Sequence, residues 1–422
     1  MSTLSLEGLR AAVAGGAVAF RSINRLMPAG GPGDKVFPPT YLKERGATTK
    51  YATETRVIDG EKKPSVLLDS VASQANRMEE ALLEAWRREE LAFPLVRVNF
   101  SQVAELEDLD TISALQAPHR IADALLRDSL LDGVPFRVSP VGKAITSARP
   151  DHATAMFTYC PTALVFGVWD STGPLGGSGA KFGRALVSEI VGVGAEPGVK
   201  TASRIDPAAI QRAVEIKVDP KDPTSWTSEE IAGKKAKPYD RGGKGDKGRP
   251  SAINHGNIPP TIDREGGGVT IEYALHTVVL SLPALRRIRF TTRTDGSAFA
   301  DRAARDAAEL AARTALAALA LAAVVHQHEV GYDLRSRSLL VGTGPLAIEL
   351  LERDGTAHPV EVTRESVNAL VAAAAAAAAA AGLTWDAAPV ELVPAPKLAD
   401  IIRASRRLAL SGASSDDGEA VD

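Results

Sequence analysis

The sequence predicts an α+β fold, a compact sheet of ferredoxin type that carries large insertions, on three observations. Segments of strand period and of helix period interleave along the chain. A long middle stretch, residues 194–268, is broken repeatedly by Pro and Gly. The 422 residues are enough for one large core or two ordinary ones.

The elements follow in order. Residues 18–27 alternate and stop at Pro28, which reads as a strand. Residues 29–41 form a Gly/Pro loop with Asp34, Lys35, Phe37 and Tyr41, a composition that suits base stacking beside a phosphate contact. Residues 66–86 predict a helix with an apolar stripe of Val71, Ala75, Met78, Leu82 and Ala85. Ser70 is its expected N-cap, and Ser73, Gln74, Asn76 and Arg77 make its first half unusually polar. Residues 95–100 predict a strand, 119–131 an amphipathic helix and 153–158 the start of another strand. Residues 268–282 and 339–351 read as strands. In 285–290 alternation places Arg287 and Arg289 on one face. Residues 298–328 and 366–382 read as Ala-rich helices and 390–393 as a last strand. Residues 1–410 are expected as one domain with a basic flexible segment at 219–262, and the small, acidic residues 411–422 as a disordered tail.

Charge bounds the function. Lys and Arg number 49 against 52 Asp and Glu, a net charge of −3, so any nucleic-acid contact must come from local patches. The single cysteine, Cys160, excludes an intramolecular disulfide and a Cys-rich zinc site, and points to a reducing, cytoplasmic setting. The apolar residues 11–20 are about half the length of a membrane span. Residues 369–383 are longer, but alanine favours a packed helix over a span.

The stretch at 164–193 is read as an apolar strand (164–169), a loop holding Gly173, Gly176, Gly177 and Gly179, and a helix from Ala180. That order makes an anion site, with Lys181 and Arg184 on the first helical turn. A nucleotide-hydrolysing loop would need Lys-Ser/Thr directly after the glycines, and the dinucleotide fingerprint fails by one residue at its second gap. A phosphate contact without nucleotide chemistry is the expectation. A second basic run, residues 233–249, holds seven Lys and Arg, among them Lys234, Lys235, Lys237 and Arg241, against two Asp. It suits an arm that orders on a polyanion, with Tyr239 available to stack.

Three blocks, RLMPAGGPGDKVFPPTY at 25–41, VLLDSVASQANRMEEAL at 66–82 and FGVWDSTGPLGGSGAKFGRALVSEIVG at 166–192, resemble the backbone subunit of the type I-G (earlier I-U) CRISPR surveillance complex, the "Cas seven" family of the RAMP superfamily. The resemblance covers the first half of the chain; the second half agrees only in general layout. It implies an RNA-recognition-type palm with thumb and finger insertions. Copies would polymerise along a guide RNA, leave bases free to pair with a complementary DNA target, and attach to other subunits of the Cascade complex. No cofactor, membrane or catalysis is implied. The candidate RNA-facing residues are Arg25, Gly30, Gly31, Lys35, Phe37, Tyr41, Ser70, Gln74, Asn76, Arg77, Gly176, Gly177, Lys181, Arg184, Lys234, Lys235, Lys237 and Arg241. Two alternatives are an endoribonuclease of the same superfamily, with Asp34 or His152 as base, and a nucleotide-dependent enzyme built on the glycine loop. The missing Lys-Ser/Thr step disfavours the last.

Overall fold

The computed structural model describes residues 2–43, 46–173, 179–222, 224–228, 237–240, 246–386 and 388–410. Six elements form the palm: β1 (Ala19–Pro28), α1 (Val71–Arg87), β2 (Leu186–Val193), β3 (Tyr273–Ser281), α2 (Arg302–Val330) and β4 (Ile348–Leu351). Their spatial order is β4-β1-β3-β2 and every adjacent pair is antiparallel. With one helix between β1 and β2 and another between β3 and β4, this is the βαββαβ ferredoxin arrangement, so the α+β expectation holds. The sheet is extended beyond β2 by the Thr53–Ile58 and Glu61–Asp69 hairpin and beyond β4 by Ala357–Glu361 and Ser2–Thr3.

Alternation decides which face is covered. On one side of the palm sheet Phe20, Leu186, Val278 and Leu280 are buried in the main core against α1, α2 and the Leu6–Ala14 helix. On the other side Ile23 is 48 % exposed and Val187 39 % exposed. One face therefore stays open. The α2 helix starts at Asp301, whose carboxylate accepts from the Ala304 amide at 2.7 Å, and its apolar length is explained by its central burial. The Arg364–Ala380 helix, the expected poly-alanine element, packs on it. The expected last strand, Val390–Pro394, joins a separate five-stranded sheet beside Val96–Asn99.

Several local expectations are overturned. Residues 164–169 are not a strand: Pro161 occupies the first turn of a helix, Pro161–Phe166, which Gly167 ends at φ +80°, and only Val168–Trp169 is extended. No helix begins at Ala180. Lys181–Phe182 pairs with Val168–Trp169, and β2 follows, its Leu186, Ser188, Ile190 and Gly192 facing one side. Spacing that fitted a helix stripe also fits every second residue, and the β-branched Val187, Ile190, Val191 and Val193 favour the strand. Residues 119–131 split into a tight turn, the Ala124–Arg127 helix capped by Asp123, and the strand Ser129–Leu131. Residues 153–158 lie mostly in the helix Thr154–Tyr159. Residues 66–69 belong to the strand Glu61–Asp69, after which Ser70 caps α1 as expected. Residues 285–290 begin in the helix Leu282–Arg286 and are not a strand.

The insertion between β2 and β3 is not wholly irregular. It carries the two-stranded ribbon Lys200–Arg204 with Ile258–Asp263, in which Ile258 and Ile262 are exposed.

Candidate nucleic-acid interface

The open face and its two ends bring together part of the expected set. Leu186, Leu280 and Phe20 align at one end of the sheet, and Gly192, Ala274 and Leu26 at the other. Six residues at about 3.4 Å each separate these rows by about 20 Å, the length of a few nucleotides. Between them the open face offers Ile23, Val187 and Thr277. Its Arg21 pairs with Glu349 at 2.8 Å, and Arg56 at the margin pairs with Glu189 at 2.8 Å, so both charges are internally balanced.

At the first end a short hairpin leads into β2. Trp169 is 58 % exposed there, and the Lys181 ammonium lies 5.1 Å from its ring centre. An aromatic face beside a mobile cation is what stacking on a base and pairing with its phosphate require. Lys181 thus remains available although it lies on no helix, and the helix-dipole argument for it and Arg184 falls away. Arg184 is placed differently. It is exposed, but partial desolvation, and then repulsion by Arg120, which is itself paired with the buried Glu79, lower the proton affinity of its guanidinium.

At the far end the Arg25 guanidinium covers the Tyr273 ring at 4.3 Å. The loop that follows β1 lies beyond it. The Asp34 carboxylate folds against Gly30, where an added Cβ would stand 2.2 Å from Asp34 Oδ2, and Gly31 needs its φ of +87° for the turn. Lys35 Nζ donates to the Val199 carbonyl, which ties this loop to the insertion. The Phe37 amide donates to Ser338 Oγ at 2.9 Å and the Ser338 hydroxyl donates to the Phe37 carbonyl at 2.7 Å, while Arg337 covers its ring at 4.2 Å. Tyr41 is exposed.

The polar half of α1 has another role. Ser70 caps the helix, and Gln74 is fully buried, so neither faces a ligand. Asp69, also fully buried, accepts from Ser73 Oγ at 2.7 Å, Gln74 Nε2 at 2.6 Å and Arg77 Nε at 2.9 Å, with Arg335 at 3.4 Å. Asn76 alone of this group is exposed. Lys237 is exposed, whereas Gly176, Gly177, Lys234, Lys235 and Arg241 lie outside the described residues. Trp169, Tyr273 and Arg337 were not among the expected residues. Alternation in 268–282 puts Tyr273 on the same side as Thr277, and Arg337 stands in the basic run LRSRS, so both carried a signal.

From Asp69 a chain of hydrogen bonds crosses the core. Gln74 Oε1 and Ser188 Oγ are 2.9 Å apart, Ser188 Oγ and His276 Nε2 2.9 Å, His276 Nδ1 and the Tyr332 hydroxyl 3.3 Å, and that hydroxyl and His328 Nδ1 2.8 Å. One assignment satisfies all of them: each group donates toward Asp69, and both histidines are neutral. Burial pushes the His276 pKa down to about 4, with repulsion from His328 adding to it. The unfolded chain, with His near 6.5, binds the extra proton first, so stability is full above pH 6.5 and falls as pH drops toward 4. The expected loss across that window is about 3 kcal/mol, from roughly 1.4 kcal/mol per pH unit. Denaturant titrations at a series of pH values check it, and His276→Gln should flatten the slope.

The geometry defines a mixed α+β protein whose ferredoxin-type sheet keeps one face open between two aromatic–cation pairs. Residues 21–197, from β1 through β2, match the model of the family described as CRISPR-associated protein GSU0053. Over those residues, somewhat less than half of its length, the chain is similar to a CRISPR-associated family of the Cas seven type found in I-U/I-G systems. No curated protein gives a significant match.

Proposed function

We propose that this protein is the guide-RNA-binding backbone subunit of a type I CRISPR effector in the cytoplasm, where copies of it align along one RNA, attach to other Cascade subunits and present that RNA to complementary DNA. The observation that carries the reading is the open sheet face, bounded by Trp169 with Lys181 at one end and Arg25 with Tyr273 at the other. Backbone contacts at the ends and few base-specific groups between them suit sequence-independent gripping. The ribbon Lys200–Arg204 with Ile258–Asp263 supports the alignment of copies, since a two-stranded ribbon exposed on both faces with isoleucines on it gains by packing on a neighbour.

The protein grips RNA without cutting it. Asp34 is turned into its own loop, and His152 Nδ1 meets the Thr291 hydroxyl, so among the described residues neither is hydrogen-bonded to a second acid–base side chain. Specific cleavage of guide precursor or complementary RNA, abolished by Asp34→Ala or His152→Ala, would overturn this.

Binding of a labelled oligo-uridine by the purified chain tests the interface. Trp169→Ala should cost about 1–3 kcal/mol of affinity, the worth of one stacked base, and Lys181→Ala should lower the log–log salt slope by about 0.7. Unchanged affinity and slope in both folded variants would move the RNA elsewhere.

A further inference from the structure

A second basic feature lies beyond the end of the sheet where β1 begins and β3 ends. After the Leu282–Arg286 helix, Arg286, Arg287 and Arg289 enter a cleft of about 680 Å³ that Arg353 reaches from the turn after β4. Arg289 is shared with an adjoining cleft of about 670 Å³ lined by Phe299 and Arg302.

Arg289 is paired with Glu309 at 2.7 Å, and in the second cleft Arg302 lies 3.6 Å from Asp306, with Asp301 also in the lining; the uncompensated positive charge lies in the first cleft, on Arg286, Arg287 and Arg353. Arg286 donates to the carbonyls of Ala12, Val13 and Ala17 at 2.7–2.9 Å, which fixes the guanidinium without neutralising it. Arg287 and Arg353 are exposed and form no ion pair among the described residues. Asp151, the acid lining the first cleft, is paired with Arg149 at 3.1 Å. Burial, and then repulsion by the neighbouring Arg353, lower the proton affinity of Arg286. An anion seated among these side chains relieves that repulsion, and guanidinium forks suit phosphate oxygens.

We infer that the paired clefts bind the phosphodiester backbone of a single nucleic-acid strand, distinct from the one assigned to the open sheet face. Each cleft has the volume of a small-molecule site yet is open, so a strand can pass from one to the other beside Arg289. Phe299, partly exposed in the second cleft with Arg293 6.0 Å from its ring centre, offers an apolar aromatic edge for a base to pack on. That aromatic wall favours a nucleic acid over an acidic peptide, which would use the arginines alone.

The test uses the full chain with labelled oligo-deoxythymidine and oligo-uridine as separate probes, titrated across a salt series. Arg287→Ala with Arg353→Ala should lower the log–log slope by about 1.4, two contacts at roughly 0.7 each. Arg287→Lys with Arg353→Lys should keep it. The loss should add to that of Lys181→Ala, which reports on the open face, so either site can fail without the other. A larger loss with one probe identifies the strand as DNA or RNA. An unchanged slope in the folded double-alanine variant for both probes overturns the inference. So does displacement of both probes from the clefts by poly-glutamate at equal charge concentration, which would assign the surface to an acidic protein.

Discussion

Asp69→Ala should destabilise the protein by about 3–5 kcal/mol, the cost of leaving buried charges without their partner. The carboxylate is fully buried, and the substitution strips Arg77, Arg335, Ser73 and Gln74 of a shared acceptor at once. Arg335 and Arg77 keep partial access to water and other acceptors, among them the Leu68 carbonyl for Arg335 at 2.8 Å, which places the loss nearer the lower bound. Asp69→Asn should be milder, because the amide oxygen still accepts from Gln74. The effect should reach the loop after β1: the turn holding Arg335 also carries Ser338 and Arg337, which clamp Phe37. Denaturant unfolding measures the first effect and proteolysis at residues 29–41 the second. A loss below about 1 kcal/mol, the scale of an exposed ion pair, would mean the network adds little.

Glu309→Ala should cost a similar amount for a different reason. This glutamate is 1 % exposed on α2 and receives Arg313 at 2.6 Å, Arg289 at 2.7 Å and Arg305 at 3.2 Å. Burial works to raise its pKa, but the Arg289 hydrogen bond and the Arg313 charge outweigh it and hold the carboxyl below the usual range. A depressed folded pKa means this contribution is present above the unfolded value and disappears as pH falls through the folded one. Arg289 and Arg305 can rehydrate when the glutamate is removed. Arg313, 9 % exposed, cannot, and its remaining acceptor is the Ile288 carbonyl. The expected loss is about 3 kcal/mol, read by denaturant unfolding at neutral pH, and should shrink on acidification.

The parts of the fold legible in the sequence were those with a long, unambiguous period. β1, β3 and α2 alternate or repeat over nine residues or more, and Ser70 marks the start of α1 by its own chemistry. Errors gathered where apolar runs were short and carried β-branched residues, at 153–169 and 180–193, because a spacing of four residues is shared by one face of a helix and one face of a strand. Gly167 and Pro161 were the available corrections, since one ends a helix and the other starts it. The interface was legible as composition but not as geometry. Lys181 was found for a helix that does not exist and survives because it lies beside Trp169. Gln74 and Arg77 looked like ligand-facing polar groups because a sequence does not reveal that Asp69 turns inward to meet them. The arginine clefts join residues 286–289 and 353, a separation no local pattern spans.

In the proposed assembly, copies of this chain align along one RNA. Native mass spectrometry of the protein assembled on single-stranded guides of increasing length tests it directly. The number of bound copies should rise in equal steps with guide length and fall on Trp169→Ala with Lys181→Ala. A copy number that stays fixed whatever the length of the RNA would rule out such alignment.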